Sequence, residues 1–213
     1  MSNKEKRIPK NPTLNVQLND EQKEFIADFY DYDVNFLHGD FGSGKSLAAC
    51  YAALITYRKR MFNKIWITRP MLKNNLAALP GTLEEKMAPY VFPILQNLNV
   101  CQSKVTTEKM LEDGDIEIMP IEVAKGVTFM ESVVIVDEYQ DMDYKDFRTI
   151  LTRLGKGSKI IFCGSKQQVD DKIKNSCIHT SMKLENFNKV NYKTLTANHR
   201  NPVLTDIINY LEK

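Results

Sequence analysis

The sequence predicts an α/β fold in which a parallel sheet is sandwiched between helices, and three observations predict it. Apolar runs of strand length alternate with runs of helical spacing along most of the 213 residues. Such alternation calls for parallel crossovers, with helices on both sheet faces. At one junction, between the apolar run Val34–His38 and a helix-like run Leu47–Tyr57, stands Gly39-Asp40-Phe41-Gly42-Ser43-Gly44-Lys45-Ser46. It matches the phosphate-loop pattern G-x-x-x-x-G-K-[ST] at every required position. A later apolar run, Val133-Val134-Ile135-Val136, ends in Asp137-Glu138. It brings two carboxylates to the sheet edge from which the glycine loop emerges.

Residues 1–17 read as a flexible basic tail containing Lys4-Glu5-Lys6-Arg7-Ile8-Pro9-Lys10, and residues 18–213 as one domain. Asn19 to Tyr30 reads as a helix. Asn19 and Gln22 are spaced as a capping box, and Phe25, Ile26 and Phe29 share one face. After the first strand and the glycine loop, Leu47, Tyr51, Leu54 and Ile55 stack at helical spacing. Lys64–Thr68 is a second strand, and Asn74 to Thr82 a loop with a turn at Leu79-Pro80-Gly81. Leu83 to Leu98 reads as helical, with a break or kink at Pro89 and Pro93. Ile116–Met119 and Ser132–Val136 are further strands. Tyr144–Leu154 is a helix closed by a glycine cap at Gly155. Lys159–Cys163 and Asn191–Thr196 complete the strands, and Pro202–Leu211 closes the chain as a helix with proline in its first turn. Lys166 to Lys189 is polar and carries no clear pattern.

In the glycine loop, successive backbone N–H groups converge on phosphate oxygens, and the following helix adds its dipole. Lys45 is expected to reach the β- and γ-phosphates and the Ser46 hydroxyl to hold magnesium. Asp137 is expected to hold the same ion, directly or through water. Glu138 is expected to orient or deprotonate an attacking water. The strand Ile160–Cys163 runs into Gly164-Ser165-Lys166-Gln167-Gln168, where a glutamine amide can donate to a γ-phosphate; an ordinary polar loop is the alternative.

Composition narrows the class. Forty-three per cent hydrophobic and twenty-six per cent charged residues describe a globular chain. A net charge of +2 supplies no global basic field, so any nucleic-acid contact must come from a local patch. No apolar run approaches membrane-spanning length, and the N-terminus lacks a signal-peptide core. Cys50, Cys101, Cys163 and Cys177 show no zinc spacing; Cys50 and Cys163 read as core residues. A reducing cytoplasm is the expected compartment.

Taken together, these segments resemble the RecA-like core of superfamily-one helicases. The fit is closest to the PhoH-like family of P-loop ATPases, including versions carried by bacteriophages. Besides the phosphate loop, the resemblance rests on Leu18-Asn19-Asp20-Glu21-Gln22, on Thr68-Arg69-Pro70 with Leu79-Pro80-Gly81-Thr82-Leu83-Glu84-Glu85-Lys86, on Val136-Asp137-Glu138-Tyr139-Gln140, and on Leu151-Thr152-Arg153-Leu154-Gly155-Lys156-Gly157-Ser158-Lys159. It implies ATP and Mg2+ as ligands, and ATP hydrolysis coupled to RNA or single-stranded DNA. Carried over by position, Gln22 reads the adenine edge, with helix capping as its alternative role. Gln168 matches the glutamine of the Gly-Asp-Pro-x-Gln loop, although Ser165 and Lys166 replace the aspartate and proline. Arg200, in Ala197-Asn198-His199-Arg200-Asn201-Pro202, is the first choice for an arginine finger, with Arg69 and Arg153 behind it. Arg69 and Lys73 follow a strand where such motors touch single strands, whereas Trp66 alternates into the core. Helicases of this kind place ATP between two such domains, so a homo-oligomer is expected, ring-like and hexamer-like in form. The competing readings are a non-catalytic ATP-dependent switch and a nucleoside kinase of the thymidine kinase type.

Overall fold

The computed structural model of the chain describes residues 14, 16–70, 83–166, 176–199, 203, 207 and 210, with only the backbone over 83–89. Its elements in order are α1 (Asp20–Phe29), β1 (Val34–Gly39), α2 (Lys45–Arg58), β2 (Lys64–Arg69), α3 (Leu83–Cys101), α4 (Lys104–Glu112) and β3 (Ile116–Pro120). They continue with α5 (Ile121–Ala124), β4 (Ser132–Val136), a 3-10 turn (Tyr139–Asp141), α6 (Tyr144–Leu151), β5 (Lys159–Gly164), α7 (Cys177–Ser181), a second 3-10 turn (Met182–Leu184) and β6 (Val190–Leu195). The strands form one six-stranded sheet in the order β3-β2-β4-β5-β1-β6. Every pairing is parallel. All strand C-termini therefore open on one edge, and the phosphate loop and the acid pair both lie there.

Both sheet faces are covered, which is why the central strands read as unbroken apolar runs. Val133 and Ile135 join Phe25, Phe29, Leu37, Ile65, Ile67, Leu98 and Ile161 on the face that carries α1 to α4. Val134 and Val136 join Phe36, Phe147, Ile150, Phe162 and Ile178 on the other. Leu14 and Val16, which a tail ending at residue 17 leaves outside the packed chain, are partly buried against the first cluster. Trp66 packs against the second cluster, edge-on to Phe129. All four cysteines are buried and free. Among the described residues no helix is long and apolar enough to cross a membrane.

Several local expectations need correction. The expected apolar stripe of α2 is instead burial on nearly all sides, with Ala48, Ala49, Ala52 and Ala53 all fully buried. Small residues let this helix lie close to the sheet. Helix α3 runs through Pro89 and Pro93 without a break. Each proline removes one donor, but the two stand four residues apart on one side of the helix, and Ile94, Leu98 and Cys101 anchor it in the core.

Helix α6 stops at Leu151, with Thr152 as its cap, so Gly155 is not a helix cap. Gly155 instead donates its N–H to the Phe129 carbonyl at 2.7 Å. A Cβ there would stand 2.6 Å from that carbonyl oxygen and 2.3 Å from Met130 Sδ. Ser158 Oγ donates to the same carbonyl at 2.9 Å and accepts the Ser132 N–H at 3.0 Å. The Thr-Arg-Leu-Gly segment thus locks the starts of β4 and β5. Helix α4, capped by Ser103 and followed by Gly114 at φ 73, carries start and stop signals that a search for apolar periodicity passes over. The loop Asn74–Thr82 lies outside the described residues. So does most of the closing helix Pro202–Leu211, of which Val203, Ile207 and Tyr210 are helical and exposed.

One buried polar chain joins the two sides of the site. His38, on β1, is 1% exposed. The Ser181 hydroxyl donates to the Ile178 carbonyl at 2.8 Å. The Tyr139 hydroxyl, 2.6 Å from Ser181 Oγ, must therefore donate to it and accept from His38 Nε2–H. His38 Nδ1 is then the acceptor for the Tyr192 hydroxyl at 2.9 Å. Every member is satisfied only while His38 is neutral. Burial, reinforced by the Lys166 and Lys45 ammonium groups, pushes the imidazole down to about 4. The unfolded chain binds this proton more tightly than the folded one below its ordinary pKa of about 6.5. The stabilisation is therefore complete above that pH and is lost as pH falls through about 4, by about 3 kcal/mol at most. Urea unfolding at pH 7 and pH 5 should show a loss in the parent that His38→Gln lacks. Equal losses in both proteins would exclude this origin.

Candidate active site

The phosphate loop has the backbone that its sequence requires. Gly39, Gly42 and Gly44 take φ values of 152°, 75° and 80°. Gly44 caps α2 in the left-handed region, and a Cβ on it would stand 2.4 Å from Gln22 Nε2. Position 44 therefore excludes side chains on two grounds, conformation and space. Ser43 N–H donates to the Asp40 carbonyl at 3.2 Å, and its Oγ donates to the same oxygen at 2.9 Å. Lys45 Nζ lies over the loop and donates to the carbonyls of Gly39 and Asp40 at 2.6 and 3.0 Å. Burial pushes the Lys45 ammonium pKa down, while Cys163, Glu138 and Asp137 act in the opposite sense. Phe41 is half-exposed.

The acid pair divides at a sharp turn. Asp137 continues the line of β4, is 4% exposed, and accepts the Ser46 hydroxyl at 2.7 Å. Burial and the Glu138 charge push the Asp137 pKa up; Ser46, Arg69 and Lys45 oppose them. Glu138 adopts φ 52, ψ 41, a left-handed conformation that costs a non-glycine residue about 1–2 kcal/mol. That turn separates the two carboxylates in direction. Glu138 Oε2 accepts Gln140 Nε2–H at 2.6 Å.

Arg69, a candidate both for nucleic-acid contact and for the arginine finger, lies beside the acids. Its Nη2 lies 3.5 Å from Glu138 Oε1 and its Nη1 3.9 Å from Asp137 Oδ2. Two carboxylates at the end of the neighbouring strand attract it there. Arg153 stands at the other edge of the sheet, its carbonyl accepting the Phe129 N–H before β4 begins. Strands of five or six residues separate the edges by roughly 17–20 Å.

Gln22 is built into the fold. It is 2% exposed, its Oε1 accepts the Asn19 N–H at 3.0 Å, and its Nε2 donates to the Gly44 carbonyl at 3.3 Å. The capping box expected from the sequence is present in full, and it also props the phosphate loop. The segment after β6 adds a strap for which the sequence carries no local signal. Glu21 accepts the backbone N–H groups of Thr196 and Ala197 at 2.9 and 3.2 Å. His199 N–H donates to the Gly42 carbonyl at 3.0 Å, and its ring lies 3.1 Å from Asn19 Nδ2. Lys73, Gln168 and Arg200 lie outside the described residues.

A family model described as "PhoH-like protein" matches residues 16–212, nearly the whole chain. The chain belongs to the PhoH-like family. A PhoH-like protein of Bacillus subtilis (strain 168) is 36% identical over 151 residues, 70% of this chain and 47% of that protein. A PhoH-like protein of Synechocystis is 32% identical over 151 residues, 70% of this chain and 46% of that protein. This PhoH-like chain thus spans about half the length of the curated relatives it matches.

Solved structures share the RecA-like α/β fold at low identity. Pif1 helicase from Candida albicans aligns with a TM-score of 0.50 at 18% identity, covering 92% of this chain and 44% of that one. The large terminase of a thermophilic bacteriophage aligns at 0.53 and 11%, covering 85% and 46%. The Sulfolobus solfataricus SWI2/SNF2 ATPase core, solved with double-stranded DNA, aligns at 0.51 and 13%, covering 88% and 47%. The PhoH-like fold therefore has the architecture of helicase and terminase ATPases.

Proposed function

We propose that this chain is a magnesium-dependent ATPase whose turnover is coupled to single-stranded nucleic acid, RNA or DNA. The observation that carries the reading is the 2.7 Å contact between Ser46 Oγ and Asp137 Oδ1 beneath the phosphate loop. It places a hydroxyl and a buried carboxylate together, the hard oxygen donors that magnesium prefers. Ser46 and Asp137 would hold the ion, which neutralises charge on the β- and γ-phosphate oxygens when bound.

The chain's own groups supply the rest. Loop N–H groups bind the phosphates, and Lys45 adds a positive charge beside them. Glu138 orients the attacking water and takes its proton on a carboxylate oxygen. Arg69, already beside the acids, and Arg200 are the candidate cations for charge developing in the transition state. Gln168 reports the γ-phosphate, and Gln22, its buried amide bonded to Asn19 and Gly44, props the loop. Lys73 is the remaining nucleic-acid candidate. A site shared between subunits would give Arg200 or Arg153 of one copy access to the phosphates of the next. We therefore favour a homo-oligomeric ring in a cytoplasmic setting.

The test is ATP hydrolysis across protein concentration, with and without single-stranded RNA. Specific activity should rise with concentration and with RNA. If Arg200 acts across an interface, Arg200→Ala should lower the rate by about a thousandfold. Mixing it with Lys45→Ala chains should then partly restore turnover, because one interface regains both groups. Concentration-independent activity with no restoration would exclude a shared site.

A further inference from the structure

We propose that Gln140 is a positioning residue that aims the Glu138 carboxylate and ties its direction to Ser165, at the end of β5. The inference rests on the reading of Glu138 as the group that activates water.

The geometry fixes the amide without ambiguity. Gln140 is 2% exposed, on the 3-10 turn that follows the acid pair. Ser165 N–H, the first beyond β5, points at the Gln140 side chain at 3.2 Å. A backbone N–H can only donate, so it must face Oε1, and Nε2 must then face Glu138. The second bond follows, Nε2 to Glu138 Oε2 at 2.6 Å. The turn itself is held from behind. Ser176 Oγ donates to the Gln140 carbonyl at 2.6 Å, and Cys177 Sγ to the Tyr139 carbonyl at 3.1 Å.

Space leaves the amide one place to be. A Cβ on Gly164 would stand 2.8 Å from Gln140 Oε1 and 2.6 Å from the Tyr139 ring. The last residue of β5 is thus bare where the amide crosses from one strand end to the next.

Glu138 needs such a guide. Its side chain is 26% exposed, and its backbone leaves β4 through a left-handed turn. Arg69 holds Oε1 only at 3.5 Å. The short bond from Gln140 to Oε2 is the firmer restraint and comes from a buried, fully engaged group. An amide that donates to one oxygen leaves the remaining lone pairs of the carboxylate available to a water. A carboxylate free to rotate would lose the near-attack geometry, a displacement worth about a hundredfold in rate. The same amide accepts from Ser165, so one side chain joins that residue to Glu138.

Gln140→Glu is the sharpest probe. The new carboxylate still accepts the Ser165 N–H, but it opposes Glu138 with a like charge where a donor stood. Turnover and binding of a fluorescent ATP analogue are measured for the parent, Gln140→Glu, Gln140→Ala and Glu138→Gln. We expect kcat of both Gln140 variants to fall about 10- to 100-fold, with the analogue Kd within about threefold of the parent. Melting temperature is followed alongside, and Gln140→Ala carries the test if the glutamate variant does not fold. Parental kcat in a folded Gln140 variant, with Glu138→Gln inactive, would overturn the positioning role alone. A parallel loss of kcat, analogue binding and melting temperature would overturn it too, making the amide a purely structural tie. Parental turnover in Glu138→Gln would overturn the reading of Glu138 itself, and this inference with it.

Discussion

Glu138→Gln should retain nucleotide binding and lose turnover by about a hundred- to ten-thousandfold. The amide copies the shape of the carboxylate but cannot take a proton from water. It can still accept from Gln140 at one atom, so the turn and its buried contacts should survive. The phosphate loop, Lys45 and the Ser46–Asp137 contact are untouched, so ATP should bind and raise the melting temperature as it does in the parent. Comparing single-turnover hydrolysis with ATP-induced thermal shift separates the two properties. Hydrolysis at the parental rate would remove Glu138 from the chemistry.

Lys45→Ala should behave in the opposite manner, losing the ATP-dependent thermal shift itself. Its ammonium is bonded to two carbonyls of its own loop, Gly39 and Asp40. No hydrophobic packing in the core depends on it. Burial disfavours its charge and lowers its pKa, and Cys163 and the nearby acid groups oppose that shift. A positive centre held in that setting interacts strongly with a polyphosphate, and its loss removes a charge-assisted contact of the strong kind. A ligand present at a hundred times its Kd stabilises a protein by about 2.7 kcal/mol, and most of that shift should vanish in the variant. The unliganded melting temperature should change little. An undiminished ATP-induced shift would sink the assignment.

The contrast between those variants follows from two kinds of information in the chain. The phosphate loop was legible because its chemistry is local. Gly39, Gly42 and Gly44 need particular backbone angles, Lys45 and Ser46 need fixed offsets, and eight consecutive residues carry the whole pattern. The strands were legible for a related reason. A strand covered on both faces must be apolar throughout, so Val133–Val136 and Ile160–Cys163 stand out without any alignment. The capping box at Asn19 and Gln22 is local too.

Misread elements were those whose residues answer to distant partners. Gly155 looked like a helix cap, yet the Phe129 carbonyl and Met130 across the sheet edge require its bare Cα. Pro89 and Pro93 looked like breaks, but packing of α3 into the core keeps the helix continuous. Arg69 carries no local sign of its partners, because nothing near it in the sequence is acidic. Only the pairing of β2 with β4 brings Asp137 and Glu138 alongside it.

By itself, then, the sequence determined the fold class, the order of most elements, the phosphate loop and the acid pair. Each of these is written in contiguous residues or in a simple period. Tertiary structure alone decided how the loops meet. Ser46 meets Asp137 across 91 positions, and Ser165 meets Gln140 across 25. His38 joins Tyr139 across 101 positions, and His199 closes over the phosphate loop from the far end of the domain. Parallel crossovers place residues side by side that the chain keeps far apart, and neither spacing nor periodicity encodes which of them will share a hydrogen bond.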